Sequence, residues 1–237
     1  MKMNDIRIIE VKESIFEDNN LDAERLRSQL KAEGTFLLNL MSSPGSGKTT
    51  TLLALENEFA RRGNPIRWAV MEADIDSAVD AQTMLDAGIP AIQIHTGGMC
   101  HLDADMTRQG LEELKYYMEN LRHENPQMDL VILENVGNLV CPAEFDTGAV
   151  KNMTILSVPE GHDKPLKYPL MYETCQLLVV NKIDAEDFFD FDRKKLMEYA
   201  RRRNPDIEII FCSAKTGEGI PQLADWILRE TSDWKQK

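Results

Sequence analysis

The densest chemistry in the chain lies in Ser42-Ser43-Pro44-Gly45-Ser46-Gly47-Lys48-Thr49-Thr50. Glycines here let a turn aim its amides inward as an anion nest, and a helix opening beside them adds its dipole. Lys48 is the residue type that reaches β- and γ-phosphates, and the Thr49 hydroxyl suits Mg²⁺. The spacing is that of GxxxxGK[ST], with Ser42 standing where the first glycine belongs. Gly45, Ser46, Gly47, Lys48, Thr49 and Thr50 are therefore read as phosphate-binding residues.

Base choice comes from the far end of the sequence. Asn181-Lys182-Ile183-Asp184 matches N/T-K-x-D, in which a carboxylate accepts both N1–H and N2–H of guanine, a donor pair that adenine lacks. Lys182 can lie along the ring, and Asn181 can tie this loop to the phosphate loop. Farther on, Ser213-Ala214-Lys215 offers amides for guanine O6. The three segments in this order point to GTP and GDP.

Two acidic segments complete the phosphate side. Glu134-Asn135-Val136-Gly137 fits a DxxG element with Glu in place of Asp: the acid faces the Mg²⁺ water shell and the Gly137 amide senses a γ-phosphate. Glu72-Ala73-Asp74 ends another apolar run. Thr49, Glu72, Asp74 and Glu134 are the Mg²⁺ candidates, and Lys48, Thr49, Asp74, Glu134 and Gly137 the catalytic ones. No arginine or glutamine stands out for hydrolysis, which leaves Lys151, Lys164 and Lys167 as candidates for a group acting across a dimer.

A soft set of residues stands apart. Cys100 and His101 are adjacent at the start of a helical pattern, and Cys141 follows the Glu134 segment. Thiolate and imidazole suit Ni²⁺, Zn²⁺ or copper, although a cysteine buried beside a capped helix would read the same way. Three ligands leave a tetrahedron open, shared between copies or finished by water. Cys175 and Cys212 sit inside apolar patterns and belong to the core. His95 and His123 read as structural, and His162 carries no assignment.

These residues need a scaffold. Apolar runs at 35–41, 65–71, 91–95, 129–135, 153–159, 176–181 and 207–213 are short and continuously hydrophobic, as strands covered on both faces must be. Helical spacing fills 18–33, 49–62, 77–88, 102–123, 185–203 and 221–230. The alternation predicts an α/β fold: a three-layer, mostly parallel sheet with helices on both faces, residues 1–33 forming an N-terminal arm and 34–237 the nucleotide-binding domain. Ligands in such folds collect at the carboxyl ends of the strands, where every motif above falls.

The 237 residues carry 27 Lys+Arg against 40 Asp+Glu, a net charge of −13, and this excludes nucleic acid and anionic membranes as partners. Four cysteines are too few for a disulfide framework, and no run approaches a membrane span. A cytoplasmic protein with reduced thiols is expected.

The order NLMSSPGSGKTT, TGGMCHLD, ILENVGNLVCPAEFDTG, LSVPEGHDKPLKYP, NKID, SAKTGEG resembles the HypB family of hydrogenase nickel-incorporation GTPases, in the SIMIBI class of P-loop proteins. The likeness covers about residues 18 to 230. It implies slow GTP hydrolysis, GTP-dependent homodimerisation, and delivery of Ni²⁺ to the large-subunit precursor of [NiFe]-hydrogenase together with a HypA-type zinc protein. It also implies a Ni²⁺ or Zn²⁺ site on Cys100, His101 and Cys141. Three departures stand out: Ala73 where the family commonly has Gly, Gly98-Met99 where it commonly has Lys-Gly, and no cysteine before 100 or histidine before 95 to form an N-terminal nickel site. A urease-accessory GTPase would carry Cys-Pro-His, whereas Cys141-Pro142 is followed by Ala143, and a cobalamin-enzyme chaperone would lack the Cys-His pair. A carrier that uses nucleotide only as a structural switch is the remaining alternative.

Overall fold

A computed structural model describes residues 11–74, 79–121 and 127–236. Helix α1 (Val11–Glu33) leads into β1 (Phe36–Ser42), and α2 (Lys48–Arg61) follows the phosphate loop. Next come β2 (Trp68–Asp74), α3 (Val79–Asp86), β3 (Ala91–His95), α4 (Ala104–Leu121) and β4 (Leu130–Glu134). A four-residue helix, α5 (Cys141–Glu144), precedes β5 (Lys151–Ser157). Two short helices, α6 (Lys164–Lys167) and α7 (Pro169–Thr174), lead to β6 (Leu177–Asn181), and α8 (Arg193–Arg203), β7 (Glu208–Phe211) and α9 (Ile220–Gln236) close the chain.

All seven strands are parallel, in the order β3-β2-β4-β1-β5-β6-β7. The strand alternation divides the core. Leu38 and Leu40 face α2 and α9 with Leu52, Leu55, Phe59 and Trp226, while Leu37 faces α1 and α4 with Leu26, Leu30 and Met118. Beyond β5, Leu178 and Val180 pack under Met171, Tyr172 and Leu196. Strands buried on both faces must be apolar at every position, which is why they read as unbroken hydrophobic runs.

The boundaries move where local chemistry decides. Residues 185–203 were expected as one helix, but Ile183–Phe188 forms a 3-10 turn and α8 starts only at Arg193. Asp192 makes the break: its side chain accepts from the Lys195 amide at 3.0 Å and caps a new helix. The EGHDKPLKYP segment (160–169) contains α6 and the first residue of α7, each helix opened by a proline in its first turn. Its His162 accepts from the Asp192 amide at 3.3 Å and packs on Phe191, a structural place. His123, Asp76 and Ser77 lie outside the described residues, as does the side chain of Asp74, whose backbone ends β2.

One polar row crosses this apolar interior. Asn39, mid-strand in β1 and buried, donates to Asn152 Oδ1 at 2.9 Å and accepts from Asn135 Nδ2 at 3.2 Å. A buried amide with both ends matched stabilises one alignment of β1, β4 and β5 and penalises others.

Candidate functional site

At β1's carboxyl end the chain turns through Ser43–Gly47 and enters α2 at Lys48. Gly47 has φ 97°, a conformation open to glycine, and a Cβ there would lie 2.5 Å from Asn181 Nδ2. That amide nitrogen fills the space and donates to Ser46 O at 3.0 Å. Asn181 Oδ1 accepts from Lys182 N at 2.8 Å and Ala214 N at 3.1 Å, so one side chain joins three loops. Lys182 adopts φ 63° and its Nζ donates to Gly45 O at 2.7 Å. Asp184 is exposed, accepts from Ser213 Oγ at 2.6 Å and has Lys215 Nζ at 3.9 Å. Ser213, Ala214 and Lys215 therefore stand beside it, the Ala214 amide holding the loop.

The phosphate side is a cavity of ≈ 580 Å³ lined by residues that include Lys48, Thr49, Thr50, Glu72, Glu134 and Gly137. Glu72 and Glu134 are register partners on adjacent strands and both are buried. Lys48 Nζ lies 3.6 Å from Glu134 Oε1. Thr49 donates to Asp80 Oδ1 at 3.1 Å. Asp80 escaped the sequence reading; its signal was a lone carboxylate in the first turn of the helix after Glu72. The Thr49 hydroxyl and the Asp80 carboxylate beside it are hard oxygens that suit Mg²⁺, and the nest at the α2 N-terminus suits phosphates. Gly137 lies against the phosphate loop, where a Cβ would stand 3.3 Å from Pro44 Cγ.

The lysines offered for hydrolysis divide. Lys151 is level with Leu38 in the register, four positions before the Ser42–Ile155 pair, or roughly 13 Å from the strand ends. It pairs with Glu230 at 2.5 Å and lies over Trp226, so Lys151 stands away from the nucleotide loops of its own chain. Lys164 and Lys167 lie beyond the correct end of β5 and pair with Glu160 at 3.6 Å and Asp163 at 2.7 Å.

Cys100 is exposed, with its Sγ 3.8 Å from His101 Nδ1. The Cys141 thiol lies beside it, and the Cys100 sulfur first, then burial, raises the Cys141 pKa. His101 stacks on Phe145 with ring centroids 3.7 Å apart, and burial lowers its pKa. Among the described residues no three His, Cys, Asp or Glu side chains are arranged to hold a metal ion. Cys175 and Cys212 are fully buried, and desolvation lifts the Cys212 thiol to about 12. Of the four thiols, only those of Cys100 and Cys141 are open to a metal.

Helix α1 fastens this corner. Phe16 packs at a tilt on Phe145 with ring centroids 4.8 Å apart, Asn19 Nδ2 donates to Asp146 O at 2.9 Å, and Asn19 Oδ1 caps α4 through the Ala104 amide at 2.9 Å. Asn19 belongs to no motif, and its sequence separation from Ala104 and Asp146 hides it.

A P-loop at a helix N-terminus, an Asn-Lys-x-Asp loop and an acidic strand-end loop on one parallel sheet define a P-loop nucleotide-binding domain. The family model "CobW/HypB/UreG, nucleotide-binding domain" matches residues 36–211. The hydrogenase maturation factor HypB of Azotobacter chroococcum is 43% identical over 224 residues, 94% of this chain and 70% of that protein. The crystal structure of Helicobacter pylori HypB in complex with nickel superposes with a TM-score of 0.83 at 34% identity, covering 91% of this chain and 96% of that one. Archaeoglobus fulgidus HypB gives 0.77 at 33%, covering 91% and 99%. The chain belongs to the HypB family. Among the described residues no helix is long and apolar enough to cross a membrane.

Proposed function

We propose that the chain hydrolyses GTP and uses the nucleotide to control binding and release of nickel during the assembly of [NiFe]-hydrogenase. The observation that carries this reading is the continuity of one loop: it leaves Glu134, 3.6 Å from Lys48, and reaches Cys141 beside Cys100. Phosphate and thiol chemistry share seven residues of backbone, as a metal switch requires. The hydrogenase maturation factors at about 40% identity and the nickel complex of the Helicobacter pylori protein support it.

In this reading Gly45–Thr50 and Lys48 bind the phosphates and hold the developing charge on the transferred group. Thr49 and Asp80, with Glu72 and Glu134 toward the water shell, would hold Mg²⁺, which would supply charge neutralisation at the phosphates. Lys48, Thr49, Glu134 and Gly137 are the groups at the reacting end; Asp74 keeps its assignment from the sequence. Asp184 reads guanine, with Asn181, Lys182, Ser213, Ala214 and Lys215 shaping its loop. Ni²⁺ is cargo, taken by Cys100, His101 and Cys141 with Zn²⁺ as a competitor, and a GTP-bound second copy or water completes the set. The partners are a HypA-type accessory protein and the hydrogenase large-subunit precursor, met in the cytoplasm, where the four thiols stay free. Residues 34–237 form the GTPase domain, with 1–33 as its arm.

Phosphate release from GTP by the wild type and by Lys48→Ala tests the enzymatic reading, with turnover expected only in the wild type. Equal turnover in both would sink it. Nickel stoichiometry tests the cargo: Cys100→Ser or Cys141→Ser is expected to lower it while GDP affinity holds.

A further inference from the structure

Asn138, the residue after Gly137, belongs to none of the nucleotide motifs, yet it joins both thiol-bearing segments. Its Nδ2 donates to the carbonyl oxygen of Cys100 at 2.6 Å. Its Oδ1 accepts from the amides of Val140 at 3.1 Å and Cys141 at 3.0 Å. One planar amide thus uses its donor edge on one segment and its acceptor edge on the other, and no other uncharged side chain of that length offers both.

The loop's other end does not move freely. Asn135 donates its amide to Leu40 O at 2.9 Å, and its side chain ends the buried asparagine row at Asn39. Between the fixed Asn135 and the clasping Asn138 are only Val136, buried, and Gly137, which rests on Pro44 of the phosphate loop. A displacement of Gly137 toward an oxygen in the phosphate cavity has one short path along the backbone, and it runs into Asn138. Because that side chain grips both segments, its rotation changes the setting of Cys100 relative to Cys141.

We propose that Asn138 is a positioning residue that converts the state of the nucleotide at Gly137 into the relative placement of Cys100 and Cys141. The proposal rests on the nickel-GTPase reading above and names the part that couples its two halves. It requires Asn138 to matter more for the dependence of nickel binding on nucleotide than for either binding event alone.

The test is Ni²⁺ titration of the full chain, followed by thiolate-to-nickel absorption, with GDP and with a non-hydrolysable GTP analogue. The wild type is expected to differ between the two by at least about fivefold in Ni²⁺ Kd, the lower end of ordinary coupling. Asn138→Ala removes both edges of the clasp. Asn138→Asp keeps the acceptor for Val140 and Cys141 but sets an oxygen against the Cys100 carbonyl. Both variants are expected to keep wild-type GDP affinity and to bind Ni²⁺, with the two Kd values collapsing to a ratio near one. A wild-type ratio in Asn138→Ala would overturn the proposal, and so would unfolding of both variants by circular dichroism or an equal loss of nickel with the ratio intact. A wild type whose nickel affinity ignores the nucleotide would instead sink the functional reading beneath it.

Discussion

Replacing Asn181 by alanine should do more damage than any other single change on the base side of the nucleotide site. In the folded chain this buried amide donates to Ser46 O and accepts from the amides of Lys182 and Ala214. Ser46 is fully buried, so its carbonyl would be left facing an empty volume, at a cost of about 1–3 kcal/mol. The Lys182 and Ala214 amides are partly exposed and water can reach them, so each adds about 0.5–1 kcal/mol. Lys182 would also lose the partner that holds it at φ 63°, where a side chain is strained by about 1–2 kcal/mol. The three lost hydrogen bonds come to about 2–5 kcal/mol, and the loss falls on the free protein as well as on the complex, because these bonds exist without nucleotide. Thermal melts without ligand should therefore drop by about 4–20 °C at this chain length. GDP affinity by calorimetry should fall by at least tenfold, the base loop no longer being preset. Asn181→Asp isolates one arm: it keeps both acceptor contacts and opposes a carboxylate to Ser46 O. If Asn181→Asp melts and binds GDP like the wild type, the contact to Ser46 O is not what joins the loops and the reasoning fails.

On the proposed reading of Asp184, Asp184→Asn turns one of the two acceptors meant for guanine into a donor. A charged hydrogen bond contributes about 1.5–3 kcal/mol, so competition between GDP and ADP should show GDP weakened by roughly 10–150-fold and ADP unchanged. Gly137→Ala sets a Cβ 3.3 Å from Pro44 Cγ and should slow GTP turnover while leaving GDP binding near wild type, as read by phosphate release and calorimetry. Asp129 offers a pH signature far from the site. Burial works to raise its pKa, but the hydrogen bonds from Arg67 and Lys235 outweigh burial and hold it at about 2. A depressed carboxyl stabilises the fold above its unfolded value of about 4 and ceases to as pH falls toward 2. The stability gap between wild type and Asp129→Asn, by urea melts, should be flat above about pH 4 and shrink below it.

The strands and the nucleotide motifs were legible because both are local patterns. Strands covered on two faces are unbroken apolar runs, and a phosphate loop needs glycine and lysine within a few residues. What escaped notice depends on partners distant in sequence. Asn138 reads as an ordinary turn residue until Cys100 comes to lie beside it, and Asn19 reads as a helix residue until it caps α4. For Lys151 only the register of β5 shows that it lies at the far end of the sheet from the nucleotide loops of its own chain. The single helix expected over 185–203 broke at Asp192 because local capping outweighed a continuous helical pattern.

The position of Asn39 carries a consequence for how the molecule is made. β1 precedes every other described strand in the chain, yet it lies in the middle of the sheet, paired with β4 and β5. Until those strands are synthesised, FLLNLM is an exposed apolar segment with both edges open, the kind that sticks to its own copies. Asn39 interrupts that segment at its centre, and as a single polar residue it opposes premature pairing. Its amide is satisfied only when Asn135 and Asn152 arrive on the correct neighbours. The strand that carries the phosphate loop is made early and locked late, and the residue that delays it is the one that certifies the final partners.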